Sequence, residues 1–165
     1  LAIQWLIDAG LAYKVQRVNA PRLPFKFYED LNAFKLFMLD VGLMGAMAET
    51  SAESMLVGDN VFSEYKGAFT ELFVFTQLKS RHFSLYYHAV ESSTIEIDFL
   101  TQWHDRVIPI EVKAEVNVKA KSLHTFINNN PELQGLRFSM LPYKKQDWVI
   151  NVPLYACLVP FDYYR

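Results

Sequence analysis

The sequence predicts an α/β domain, and three observations carry that expectation. From Glu64 onward the apolar pattern reads as helix, three strands, helix and strand, with period-two alternation in the strand-like segments. The chain has 165 residues, 52% of them hydrophobic and 15% aromatic, including thirteen Phe. That is enough for one medium domain, or one domain and part of another, since each buried aromatic removes roughly 150–250 Å² from water. No run of about eighteen uncharged apolar residues occurs, so a membrane-spanning helix is not expected.

The elements follow in order. In LAIQWLIDAG, Ile3, Leu6 and Ile7 have helical spacing, and Gly10 suits the left-handed position that ends a helix. LAYKVQRV alternates and predicts a strand; Pro21 and Pro24 mark a loop; FKLFML predicts a second strand, and Asp40 a helix cap for VGLMGAMAE. Residues 50–63, rich in Ser, Thr, Gly and acids, read as a linker between residues 1–49 and a domain at 64–165. EYKGAFTELFVFTQLKS predicts an amphipathic helix, with Ala68, Leu72 and Phe75 on one stripe. FSLYYHAV, TIEIDFLTQW and RVIPIEVKAE predict three strands, VKAKSLHTFINNN a helix, and GLRFSML and VPLYACLVP one or two further strands.

A net charge of −2 argues against a chain that coats nucleic acid indiscriminately. Between Lys113 and Lys145, however, residues 113, 119, 121, 137, 144 and 145 are basic and only Glu115 and Glu132 are acidic, a run suited to phosphates or to a solvated face. The single cysteine, Cys157, excludes an internal disulfide or a Cys-rich zinc cluster and reads as a buried core thiol. With no signal peptide, a cytoplasmic location is expected. The chain opens without Met on a helical segment and reads as a piece of a longer protein. The four histidines show no close-spaced ligand pair, and Tyr86, Tyr87 and Trp103 read as packing residues more than as base-stacking ones.

Chemistry concentrates in two adjacent strands. Alternation in VIPIEVKAE puts Glu111 and Lys113 opposite Ile110 and Val112, and in IEIDFL it separates Asp98 and Leu100 from Ile97 and Phe99. If the strands pair through residues 101–106, the carboxylates of Asp98 and Glu111 converge. Two carboxylates and the Val112 carbonyl suit Mg²⁺ or Mn²⁺, and Lys113 could steady an attacking hydroxide or a charged phosphate.

This pattern, ID followed by IEVK, resembles the PD-(D/E)xK nuclease superfamily, with Asp98 and Glu111 as metal-binding acids and Lys113 as the catalytic lysine. Ile97 stands where the superfamily usually has Pro. The resemblance implies a restriction-endonuclease-like αβββαβ core and a further acid on the first helix, Glu71. The blocks WLIDAGLAYKV, KLFMLDVGLMGAM, KGAFTELFVFTQL, EIDFL and IPIEVKAE also resemble the C-terminal DUF4143 region of a bacterial and archaeal AAA-type ATPase family. That resemblance implies a partial winged-helix-like segment at residues 1–49, an upstream ATPase module as partner, DNA as ligand, and phosphate contacts from Lys121 and Ser122. No GxxxxGK[ST] loop is present, so ATP hydrolysis is not expected of this chain. The alternative is a catalytically inactive nuclease-fold module that binds nucleic acid or protein and regulates the ATPase.

Overall fold

The computed structural model describes residues 2–49, 60–90, 95–115 and 120–159, with side chains of 60–64 left aside. Helix α1 (Ala2–Asp8) leads to β1 (Ala12–Val18), and β2 (Glu29–Met38) follows a short 3₁₀ turn at Phe25–Tyr28. Gly10 has φ 72, the left-handed conformation its place after the helix requires. The next helix, α2 (Val41–Met47), is capped as expected: Asp40 Oδ1 accepts the Leu43 N–H at 2.8 Å. The long helix α3 (Asn60–Ser80) begins four residues before the expected start, so residues 60–63 of the expected linker are helical, and the rest of that linker lies outside the described residues.

Next come β3 (Leu85–Ala89), β4 (Glu96–Trp103), β5 (Arg106–Lys113), α4 (Lys121–Asn129), β6 (Gly135–Ser139), β7 (Lys144–Lys145) and β8 (Val149–Pro153). The α, β, β, β, α, β order expected from Glu64 onward is therefore present, followed by two more strands. All eight described strands form one mixed sheet, in the order β2-β1-β3-β4-β5-β6-β8-β7. The hairpin of residues 12–38, expected within a separate segment, extends this sheet beyond β3.

The final strand differs from expectation. It is Val149–Pro153, not the apolar run 152–160, and Leu154–Ala156 form a 3₁₀ turn. Parallel pairing with β6, from Gly135↔Val149 to Ser139↔Pro153, sets the register and buries Asn151 in the middle of the strand. Asn151 tolerates burial because Oδ1 accepts from Arg137 Nε and Ser139 Oγ while Nδ2 donates to the Leu141 and Pro142 carbonyls.

Two cores flank the sheet. On the α3 side, Leu72, Phe75 and Leu78 pack against Val15, Phe37, Phe99, Ile110, Val112 and Phe138; on the α4 side, Leu123, Phe126 and Ile127 pack with Val18, Ile97, Leu100 and Val149. Phe37, Phe75 and Phe99 form the aromatic centre, with the first two stacked at 4.4 Å. Ala68 is exposed and Val74 fully buried, so α3 is covered more broadly than the expected stripe. Cys157 lies in the α3-side core, and burial pushes its thiol up to about 11. Tyr87 belongs to the same core, Tyr86 packs on Phe25, and Trp103 packs on Phe83.

Candidate functional site

Strand β5 alternates as its sequence predicts. Ile110 and Val112 face the α3 core, leaving Glu111 and Lys113 on the other side. Pro109 is tolerated because the parallel ladder to β6 starts only at Ile110↔Leu136, so its missing N–H falls before that ladder. The ladder carries one polar row across the sheet, since Glu111 is in register with Arg137, and Arg137 with Asn151.

Strand β4 does not alternate as predicted. Its pairing with β3 slips between Tyr86↔Leu100 and His88↔Ile97, so Asp98 and Phe99 together oppose Tyr87. This β-bulge puts Ile97 and Leu100 in the same α4-side core, while Phe99 enters the α3-side core. The simple separation of Ile97 and Phe99 from Asp98 and Leu100 is therefore corrected. With β5, β4 pairs as expected, from Trp103↔Arg106 to Phe99↔Ile110, but the connection is the two-residue turn His104–Asp105, since 101–103 and 106, expected to connect the strands, belong to their ladder. Beyond Phe99↔Ile110 the Asp98 side chain takes a backbone partner: Oδ2 accepts the Val112 N–H at 2.7 Å. The bulge and this bond fix Asp98 where β4 leaves β5.

Glu111 is 4% exposed. Its Oε1 pairs with Lys113 Nζ, and its Oε2 is buried without a hydrogen-bond partner. Burial raises its pKa against the opposing pull of Lys113, and the Glu71 and Glu96 charges add to the rise. Asp98 is pushed up to about 7, first by burial, then by Glu111 and Glu71, with the Val112 N–H and Lys35 acting the other way. Asp98, Glu111 and Glu71, the three expected site acids, thus fall within one electrostatic neighbourhood.

Glu71, on α3, does not pair with Lys113. Its Oε1 lies 3.0 Å from Lys35 Nζ, and the same ammonium lies 2.6 Å from Glu96 Oε1. Against the cost of burial, Glu71 and Glu96 hold Lys35 above its ordinary pKa. Lys121 and Ser122 occupy the first turn of α4; Lys121 is exposed and forms no ion pair with the described acids. Of the basic run, Arg137 is buried and next in register to Glu111, Lys113 is paired, and Lys119 lies outside the described residues.

Lys35, Glu96 and Arg137 were not among the site residues expected from sequence. Lys35 breaks an otherwise apolar strand run, FKLFM, which was the one local sign that its ammonium must find partners. Among the described residues no group of three or more His, Cys, Asp or Glu is arranged to hold a metal ion. The donor chemistry still favours a hard cation over a soft one, because the orphaned oxygen is a carboxylate and its neighbours are acids.

Fold and site together define a mixed α/β protein built on one eight-stranded sheet, with a partly buried acid–lysine cluster where β4 and β5 separate. Residues 66–156, more than half of the chain, match the family described as "Domain of unknown function (DUF4143)", and the protein belongs to that family. Residues 1–54 match a second family, described as "Domain of unknown function (DUF8612)". Comparison with curated proteins finds no match, and comparison with solved structures finds none. No described helix is long and apolar enough to cross a membrane.

Proposed function

We propose that Asp98, Glu111 and Lys113 form a divalent-cation-dependent phosphodiesterase centre of the PD-(D/E)xK kind, on a restriction-endonuclease-like core that acts on or binds DNA. One observation carries this reading: Glu111 holds a buried carboxylate oxygen without a donor, beside a second carboxylate of raised proton affinity. Buried acids with too few donors are costly unless a cation completes them. Asp98 and Glu111 would hold Mg²⁺ or Mn²⁺, oxygen-seeking ions that retain water. Such an ion, when bound, supplies charge neutralisation at a phosphodiester and a water of lowered pKa.

The chain's own groups do the rest. Lys113, about one-third exposed, presents an ammonium beside Glu111 to a phosphate oxygen. Glu71 serves as an auxiliary acid, and Lys121 with Ser122 meets a neighbouring phosphate at the start of α4. The partner is an upstream ATPase module of the same polypeptide, in the cytoplasm. Calorimetric titration of Mn²⁺ into wild type, Asp98→Ala and Glu111→Ala tests the site without a guess about substrate. Stoichiometric binding lost in both variants is expected, and a silent wild type would overturn the reading. Lys113→Ala should then abolish cleavage of DNA.

A second reading, an inactive nuclease-fold module that binds nucleic acid or protein and regulates the ATPase, is favoured by the missing three-donor group among the described residues. It expects DNA binding that survives both EDTA and Asp98→Ala.

A further inference from the structure

Lys35 comes from β2, inside the segment matched to the second family, yet its ammonium ends among acids of α3 and β4. On its strand it shares a face with Phe37, which is buried in the α3-side core. Its Nζ lies 5.2 Å from the centre of the Tyr87 ring. A cleft of about 410 Å³, lined among others by Met44, Ala68 and Leu72, has both Lys35 and Glu71 in its wall, so their ion pair is reachable from solvent.

We propose that Lys35 is the site's built-in counter-cation: by holding Glu71 it withholds a third carboxylate from Asp98 and Glu111 and so limits how tightly a divalent cation binds. This inference rests on the reading of Asp98 and Glu111 as cation ligands. The pairing of Glu71 with Lys35 accounts for a site that gathers acids yet presents no three-acid group as its side chains stand. The demand for a further cation is independent of Lys35, because Glu111 Oε2 remains buried and without a partner. Lys35 Nζ holds Glu96, two residues before Asp98 on β4, and lies over Tyr87, which faces Asp98 across the bulge, so its charge opposes a double positive charge bound at Asp98. Even at an effective dielectric constant of about 20–40 the repulsion amounts to on the order of tenfold or more in affinity. The N-terminal hairpin thereby regulates a site whose ligands all lie in the DUF4143 region.

The test is calorimetric titration of Mn²⁺ at low ionic strength into wild type, Lys35→Gln, Lys35→Met and Lys35→Arg, each first checked for a cooperative melt. Gln keeps hydrogen bonds to both acids, and Met keeps the aliphatic stem should Gln fail to fold. The neutral variants are expected to bind Mn²⁺ about tenfold tighter or more, and Lys35→Arg to stay within about threefold of wild type. Adding Glu71→Gln to Lys35→Gln should remove the gain. Wild-type binding that is lost in Asp98→Ala but unchanged or weakened in the neutral variants overturns the role of Lys35 and leaves the cation site standing. Silence in every protein overturns both.

Discussion

Strands β6 and β8 bury every residue, and β5 buries all but three, whereas β2 at the far edge buries only Phe37 and exposes Leu31, Phe34 and Leu36. The inner strands have helices over both faces, α3 on one and α4 on the other, so side chains placed there are held by packing from all directions. The outer strand contributes one buried aromatic and one lysine to the same neighbourhood. Rigid acids on inner strands and a cation on an edge strand are different kinds of component: the first fix a geometry, while the second adjusts its charge.

The largest effect that sharpens this contrast is in the cores. Phe99→Ala, at 0% exposure, should cost about 3–5 kcal/mol in urea unfolding, and Leu31→Ala, at 73%, under about 0.5. Equal losses would mean that the hairpin is as integral to the core as β4. Next are the two lysines. Lys113→Met leaves Glu111 buried and unpaired and should cost about 1–3 kcal/mol, most of it recovered in the double variant with Glu111→Gln. Lys35→Met, whose partners are 24% and 50% exposed, should cost about 1 kcal/mol or less. A reversal of that order would assign the tighter pair to the edge.

Asp98→Asn should stabilise the metal-free protein by roughly 1–3 kcal/mol at pH 8, after allowance for solvent screening. The folded protein raises the Asp98 pKa to about 7, above its ordinary 3.8. Ionised Asp98 therefore burdens the fold above pH 7, and the burden shrinks as the pH falls and is gone below about pH 4. Melts of both proteins across that window check the sign, and a pH-independent difference would refute the cause given. The smallest effect concerns Cys157: with its thiol pushed up to about 11 inside the core, a thiol reagent at pH 8 should label it only after unfolding.

Much of this was legible in the sequence. Period-two alternation located Glu111 and Lys113 on one side of β5, and spacing placed Glu71 on a helix with one face to bury. Asp40 and Gly10 announced the ends of short helices through chemistry that needs no tertiary context. What escaped was set by pairing between distant strands. The bulge at Asp98 is a register slip against β3, invisible to a rule that counts by twos. The last strand was misplaced because Asn151 interrupts the apolar run, and its burial is licensed only by Arg137, Ser139 and the turn carbonyls at 141 and 142. Lys35 meets Glu71 across thirty-six positions, a distance no local pattern spans.

The join between β1 and β3 is narrow: one residue pair, Arg17↔Tyr87, carries the ladder, and His88 Nδ1 donates to the Val18 carbonyl at 2.8 Å beside it. The ladder from β4 through β5 and β6 to β8 is several rungs wide at each step. The expectation for a seam of that kind is that the hairpin opens as a separate cooperative unit, with amide hydrogens of β1 and β2 exchanging as a group before those of β5 and β6. Each such opening carries Lys35 away from Glu71, and the charge of the acid cluster would then fluctuate at the rate at which the edge of the sheet breathes.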